Sequence, residues 1–228
     1  MSDYSIRLYK DSDYELVRNL FASGMKEYTH KVFRHGLSVP RNLLSMLVMV
    51  LVSLWISGSA VVSVLVVVAA VFILWFVARH IYSSFVSFCL SDDMLNIDKY
   101  YLQRDGYCFW VAESGGEVVG AVAAVPSPLS GGKKHTELKR LTIVKKCRGR
   151  GIAKALCRAV INFARQTGCA AVVLETSLIM KDAQKLYEKM GFHLIHTIHR
   201  PPSHELDWII PEAEGHTKRL PVGGKRLK

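Results

Sequence analysis

The chain reads as an α/β domain, a mixed sheet with helices on both faces, interrupted by a membrane-embedded helical hairpin. Three observations lead there: apolar runs of strand length that alternate with amphipathic helical stretches, glycines that punctuate the ends of those helices, and one long run without charge. The long run, Leu43 to Ala78, holds no Asp, Glu, Lys, Arg or His. A straight helix of that stretch would reach roughly 54 Å, against a bilayer core of about 30 Å, so a single upright span is too long. Ser57-Gly58-Ser59 is the turn-permissive cluster that divides it into Leu43 to Ile56 and Ala60 to Ala78, arms suited to a hairpin or to two tilted short spans.

The remaining elements follow in order. Ser5 to Tyr9 has strand character, and Asp11-Ser12-Asp13 opens an amphipathic helix to about Tyr28, with Leu16, Val17, Leu20, Phe21 and Met25 at helical spacing. Lys26, Lys31, Arg34 and Arg41 then precede the apolar run, which places this flank on the cytosolic side. Beyond Arg79 comes a mixed helical stretch, followed by a hairpin of strands, Phe109 to Ala112 and Val118 to Val125, turning at Ser114-Gly115-Gly116-Glu117. Glu137 to Val144 is a third strand of this region, and Gly151 to Thr167 a helix closed by Gly168. Ala170 to Glu175 suits a central strand, and Lys181 to Met190 a helix ending at Gly191. Short strands near Leu194 to Ile198 and Asp207 to Ile210 close the domain.

The organisation expected is therefore an N-terminal strand and helix over 1–35, a membrane hairpin over 41–80, the body of the domain over 81–211, and a basic disordered tail over 212–228. The chain carries 30 Lys and Arg against 19 Asp and Glu, a formal charge of +11. Lys218, Arg219, Lys225, Arg226 and Lys228 contribute to it locally, and such a tail would be drawn to anionic headgroups beside the anchor. Nucleic acid is not expected as a partner, because no zinc-finger spacing, RNA-binding aromatic signature or basic heptad helix is present. The odd set Cys89, Cys108, Cys147, Cys157 and Cys169 lacks C-x-x-C spacing and reads as reduced thiols. His193, His196 and His199 recur every third residue, which on a strand sends neighbours to opposite faces, and no metal is expected.

The chemistry concentrates in Leu141-Thr142-Ile143-Val144-Lys145-Lys146-Cys147-Arg148-Gly149-Arg150-Gly151-Ile152-Ala153-Lys154. A strand ends, a glycine-containing basic loop turns, and a helix begins at once. Free backbone N–H groups and the positive end of the helix dipole then converge on one spot, a receptor for a pyrophosphate. The segment is neither the dinucleotide fingerprint G-x-G-x-x-G nor a P-loop, which needs G-K followed by Ser or Thr.

The pattern Arg148-x-x-Gly151-x-Ala153 resembles the acetyl-CoA motif of the GCN5-related N-acetyltransferase superfamily. Ala183-Gln184-Lys185-Leu186-Tyr187-Glu188-Lys189-Met190-Gly191-Phe192 is similar to that family's A-x-x-L-Y-x-x-x-G-F segment. Cys108-Phe109-Trp110-Val111-Ala112 and Val172-Val173-Leu174-Glu175-Thr176, joined to a membrane insert, look most like its Camello branch, enzymes of the endoplasmic reticulum.

The resemblance implies acetyl-CoA as co-substrate and a primary amine as acceptor, whether a cysteine S-conjugate, an amino acid or a peptide or protein amine. It also implies Leu141, Thr142 and Ile143 along the pantetheine arm, with Arg148, Gly149, Arg150, Gly151, Ile152, Ala153 and Lys154 around the diphosphate. Glu175 stands in the base position and Tyr187 in the acid position, with Glu137 on the neighbouring strand as the rival base. Many members carry Asn seven residues before the helix tyrosine, where this chain has Met180. A different class, a membrane-shaping scaffold with an inactive fold, is the alternative reading.

Overall fold

The computed structural model describes residues 3–127, 134–177, 179–199 and 214–222. In chain order the elements are β1 (Ser5–Leu8), α1 (Tyr14–Lys26), α2 (Tyr28–Ser38), α3 (Pro40–Ser57), α4 (Ala60–Ser91), a π-helical segment (Asp98–Leu102), β2 (Cys108–Ser114), β3 (Glu117–Pro126), β4 (His135–Ile143), α5 (Ile152–Gln166), β5 (Ala171–Ser177), α6 (Lys181–Lys189), β6 (His193–His199) and β7 (Glu214–Pro221). The strands form one sheet in the order β1-β2-β3-β4-β5-β7-β6. Among the described residues only β4 and β5 run parallel, joined by α5 as a crossover helix.

Two apolar layers hold the sheet. On one face α5 lays Ile152, Leu156, Val160 and Ala164 against Val122, Ala124, Val172 and Leu174. The helix is amphipathic, and each fully buried Leu or Val there contributes about 1.5–3 kcal/mol. On the other face Val17, Leu20 and Phe21 of α1 meet Phe109, Val111, Ala121 and Ala123, together with Met94, Ile97 and Tyr101 from the stretch that follows α4. From Ala121 to Val125 strand β3 thus feeds the two layers by alternation. Helix α1 begins where the Asp13 carboxylate accepts the backbone N–H of Lys10, and its Gly24 lies so close to β4 that an added Cβ would stand 2.6 Å from Thr142 Cγ2.

The uncharged run forms a helical hairpin. Gly58 adopts a left-handed conformation (φ 60°) that closes α3, and the hydroxyls of Ser53 and Ser63 meet at 2.7 Å across the two arms. Both helices are long and apolar enough to cross a membrane. Their large side chains face outward: Trp55 is 86% exposed and Val61 69%. Helix α4 continues past Arg79 to Ser91, further than the expected boundary at 80. Its second half stays helical because Val32 of α2 and the Leu74, Val77, Ala78 and Tyr82 side chains of α4 form a third apolar cluster.

The elements before and after the hairpin belong to one sheet, since Ser5, Ile6, Arg7 and Leu8 of β1 pair with Glu113, Ala112, Val111 and Trp110 of β2. The hairpin is therefore an insertion, and both of its ends return to the same domain.

Two features differ from the sequence reading. Helix α2 occupies a stretch read only as a basic cluster. More consequentially, part of the supposed tail over 212–228 is strand β7, which lies between β5 and β6 and pairs with both. Its ladder on two sides supplies what composition does not advertise, and the basic residues there are structural. Lys218 is 3% exposed, with its ammonium donating to Glu188 Oε1 at 2.8 Å while its aliphatic stem is covered. The strand expected at Asp207 to Ile210 lies outside the described residues.

Candidate active site

The site is built on a divergence. Strands β4 and β5 pair at His135 with Ala171, Thr136 with Val172 and Glu137 with Val173, and there the pairing stops. Strand β5 continues to Ser177 against β7 alone, while β4 continues to Ile143 against β3 alone. From Leu138 onward β4 therefore has no strand partner on its β5 side among the described residues, and a V-shaped opening begins between them. An extended chain with amide groups can be bound along such an edge by main-chain hydrogen bonds.

A bulge lies within this edge. Ala121 faces Thr142 and Ala123 faces Lys139, so Val122 is opposed by both Arg140 and Leu141. Arg140 takes φ 56°, the one positive value at a non-glycine position among the described residues.

At the wide end of the opening, β4 passes through a short 3-10 turn (Lys145–Cys147) into α5. Gly149 and Gly151 both have positive φ, 82° and 85°, conformations that L side chains resist. Gly151 is the residue before the first helical turn, and among the described residues no side-chain cap on the N-terminal amides of α5 is seen. Those N–H groups and the helix dipole remain available to an anion. A Cβ on Gly149 would meet nothing within 4 Å, and one on Gly151 would lie 3.5 Å from Tyr4 Oη. The residues expected at the diphosphate thus come together: Arg148, Gly149, Arg150, Gly151 and Lys154 are exposed around this turn, while Ile152 is buried and anchors the helix. Ala153 packs against the α5 core, which keeps the first turn narrow.

The arginines of the loop are already engaged. Arg148 donates to Ile143 O at 3.2 Å and, through both terminal nitrogens, to the Glu27 carboxylate. Arg150 donates to Asp3 Oδ2 at 2.5 Å. Sequence reasoning missed Glu27 and Asp3, which lie far away in the chain and fall in no motif.

The candidate proton-transfer groups fall on three elements, Glu137 on β4, Glu175 on β5 and Tyr187 on α6. Glu137, the last residue of β4 paired with β5, is largely buried. Desolvation raises its carboxyl above the ordinary value, with the nearby Glu175 charge adding to the effect and Lys139, 3.5 Å away, opposing it. Glu175 sits on β5 with an exposed side chain. Of the two glutamates it is therefore Glu137 that is withdrawn from solvent, while Glu175 stands exposed on β5. Tyr187 of α6 lies on the α5 side, its ring set edge-on against Phe192 at 5.7 Å. Burial pushes its phenol well above the usual range, so it keeps its proton.

Met180 precedes α6 and provides no side-chain cap. Gln184 Nε2 instead donates to Ser177 O at 2.8 Å, and Lys31 of α2 reaches Asp182 at 3.0 Å. The first histidine of the expected triplet, His193, opens β6.

Residues 75–192 match the family model described as the Acetyltransferase (GNAT) family. The mouse protein N-acetyltransferase 8F1 is 46% identical over 195 residues, covering 84% of this chain and 87% of that protein. Rat N-acetyltransferase 8 is 44% identical over 194 residues, covering 84% and 87%. Among solved structures, an acetyltransferase of the GNAT family from Staphylococcus aureus Mu50 superposes with a TM-score of 0.58 at 17% identity, covering 96% of this chain and 99% of the other. The chain belongs to the GNAT acetyltransferase family and is an acetyl-CoA-dependent N-acetyltransferase.

Proposed function

We propose that this protein is a membrane-anchored enzyme that carries an acetyl group from acetyl-CoA to a primary amine by direct attack within a ternary complex. The observation that carries the reading is the parting of β4 from β5 after Glu137 and Val173, with the uncapped start of α5 at its wide end. The edge from Leu141 to Ile143 takes the pantetheine amides, and the turn around Gly149 and Gly151 takes the diphosphate. The thioester then lies near the narrow end, between the two glutamates and Tyr187.

An ammonium has no lone pair to attack with, so its proton must leave first. Glu137 takes that proton, directly or through water, since a desolvated carboxylate is the stronger base of the two. The resemblance put Glu175 first in that role. Its exposed position suits it better to holding the incoming cation near Glu137. The free amine attacks the thioester carbonyl, the C–S bond breaks as the tetrahedral adduct collapses, and the Tyr187 phenol gives its proton to the departing thiolate and recovers one, through water, from the nitrogen that becomes the amide.

The anchor is the α3–α4 hairpin. Its outward Trp, Phe, Leu, Ile and Val side chains favour lipid over water, and the basic residues flanking Pro40 favour a cytosolic placement of the domain. On the resemblance to the Camello branch, the membrane is that of the endoplasmic reticulum. The acceptor class is tested by supplying the purified full chain, in lipid nanodiscs, with acetyl-CoA and in turn a cysteine S-conjugate, free amino acids, a peptide N-terminus and a peptide lysine. Acetylation of one class well above the others supports the reading. Absence of transfer to all four would point to a scaffold with an inactive fold.

A further inference from the structure

We propose that Arg140 and Asp93 form a positioning pair that sets the phase of the acetyl-CoA-binding edge and ties it to the end of the hairpin helix α4. The inference rests on the function proposed above.

Asp93 follows α4 by two positions and is 4% exposed. Arg140 donates to both of its carboxylate oxygens, at 2.8 and 2.7 Å, and the Tyr101 hydroxyl donates to the same carboxylate. The Arg140 guanidinium also lies over the Phe21 ring of α1, 5.3 Å from its centre. The segment bearing Asp93 is held in turn, because Arg18 donates to Leu90 O at 2.8 Å and to Met94 O, and Tyr14 donates to Leu95 O at 2.9 Å.

This pair acts on a strained point. A non-glycine residue at φ 56° persists only where its surroundings over-determine it. The strain has a result: Leu138 and Leu141, three positions apart, both enter the α5-side core, while Thr142 turns to Gly24 of α1. Regular alternation would have sent Leu141 to the opposite face. The extra residue at the bulge shifts β4 by one, and a one-residue shift exchanges the two faces for everything beyond it. Leu141, Thr142 and Ile143, the free edge of the opening, lie directly beyond it. A two-pronged ion pair fixes both distance and orientation, which a lone charge on a flexible stem would not do.

The test uses the full chain in lipid nanodiscs and compares D93N, R140K, R140Q and the double variant D93N/R140Q. The pair predicts amide hydrogen exchange at Leu141 to Ile143 at least about tenfold faster in each single variant, with α5 amides unchanged. It predicts kcat lower by about ten- to a hundredfold, since the thioester is misplaced while the diphosphate turn is intact, and KM for acetyl-CoA within about twofold. Because the two residues act as one device, the double variant should lose no more than the worse single one. R140K, which keeps the charge without the fork, should not restore the rate. Unchanged exchange at 141–143, losses that multiply in the double variant, or a rise in KM matching the fall in kcat would each overturn the inference. A wild-type protein that binds no acetyl-CoA, yet shows the exchange response, would refute the proposed function and with it the positioning role.

Discussion

The carboxylate of Glu27, at the elbow between α1 and α2, holds both terminal nitrogens of the Arg148 guanidinium, at 2.8 and 3.1 Å, from 121 positions away in sequence. A protein anion thus sits on the arginine that the proposed function gives to the diphosphate. On that proposal the two anions compete for one guanidinium.

That competition gives a directional expectation. Glu27→Gln should lower KM for acetyl-CoA by about two- to fivefold, and Arg148→Gln should raise it by a similar factor, the scale of an ion pair of under about 1 kcal/mol between partly exposed groups. Both effects should shrink as salt is raised from low to moderate concentration. Steady-state kinetics at two ionic strengths measures this. A rise in KM in Glu27→Gln would mean that the pair builds the turn and does not compete with the cofactor.

Glu137 governs a pH dependence of defined sign. Its carboxyl is raised in the fold by desolvation, so the protein gains by keeping it neutral at acid pH and loses that advantage as pH rises through the raised value. Glu137→Gln should therefore stabilise the protein at about pH 7, and the gain should vanish as pH falls below the ordinary carboxylate value. Activity runs the other way. Glu137→Gln should lower kcat by about a hundredfold and remove the acid limb of the kcat profile, which in the wild type lies above the ordinary carboxylate range. Thermal unfolding and kcat measured over the same pH series check both, and an acid limb surviving in Glu137→Gln but lost in Glu175→Gln would return the base role to Glu175.

The Tyr187 phenol holds its proton because it is buried, and the proposed function passes that proton to the departing thiolate. Tyr187→Phe should lower kcat by about ten- to a hundredfold while acetyl-CoA affinity changes little. The ring contact with Phe192 is preserved in Phe, so folding is expected to be intact. Rapid-quench comparison of acetyl transfer with binding affinity separates the two, and an unchanged kcat would leave Tyr187 as a core residue.

The pairing of β1 with β2 across the hairpin constrains topology, since both flanks must lie on one side of any bilayer. An Asn-x-Thr acceptor placed at the exposed β2–β3 turn, Gly115 to Glu117, and a second placed near Asp3 should both stay unglycosylated in microsomes. Modification of both would put the domain in the lumen. Modification of only one would break the sheet's single-sided arrangement.

Much of this design is legible along the chain, and the reason is locality. The diphosphate turn is one continuous stretch in which Arg148, Gly149 and Gly151 stand together, and the hairpin announces itself through an uncharged run divided at Gly58. Strands β2 to β5 show because alternation and apolar content are local properties. What stays hidden is carried by partners distant in sequence. Nothing near Arg148 points to Glu27, nothing near Arg140 points to Asp93, and the bulge leaves no turn residue behind it because an arginine occupies the left-handed position. Lys218 and Arg219 read as tail residues because charge beside proline and glycine resembles a linker. Only the two neighbouring strands turn Glu214–Pro221 into part of the sheet. The resemblance offers both glutamates, but which of them is desolvated depends on what covers each one, and that is a tertiary property.

The central claim is that the diphosphate of acetyl-CoA rests on the uncapped amides at Gly151, and calorimetric titration of the full chain in nanodiscs with acetyl-CoA, for wild type and Gly151→Trp, addresses it most directly. The account predicts one site per chain in the wild type and an affinity at least about tenfold weaker in Gly151→Trp, whose side chain blocks backbone approach at a position with φ 85°, with the thermal transition retained. Equal affinities in the two proteins, or no binding by the wild type, would contradict it.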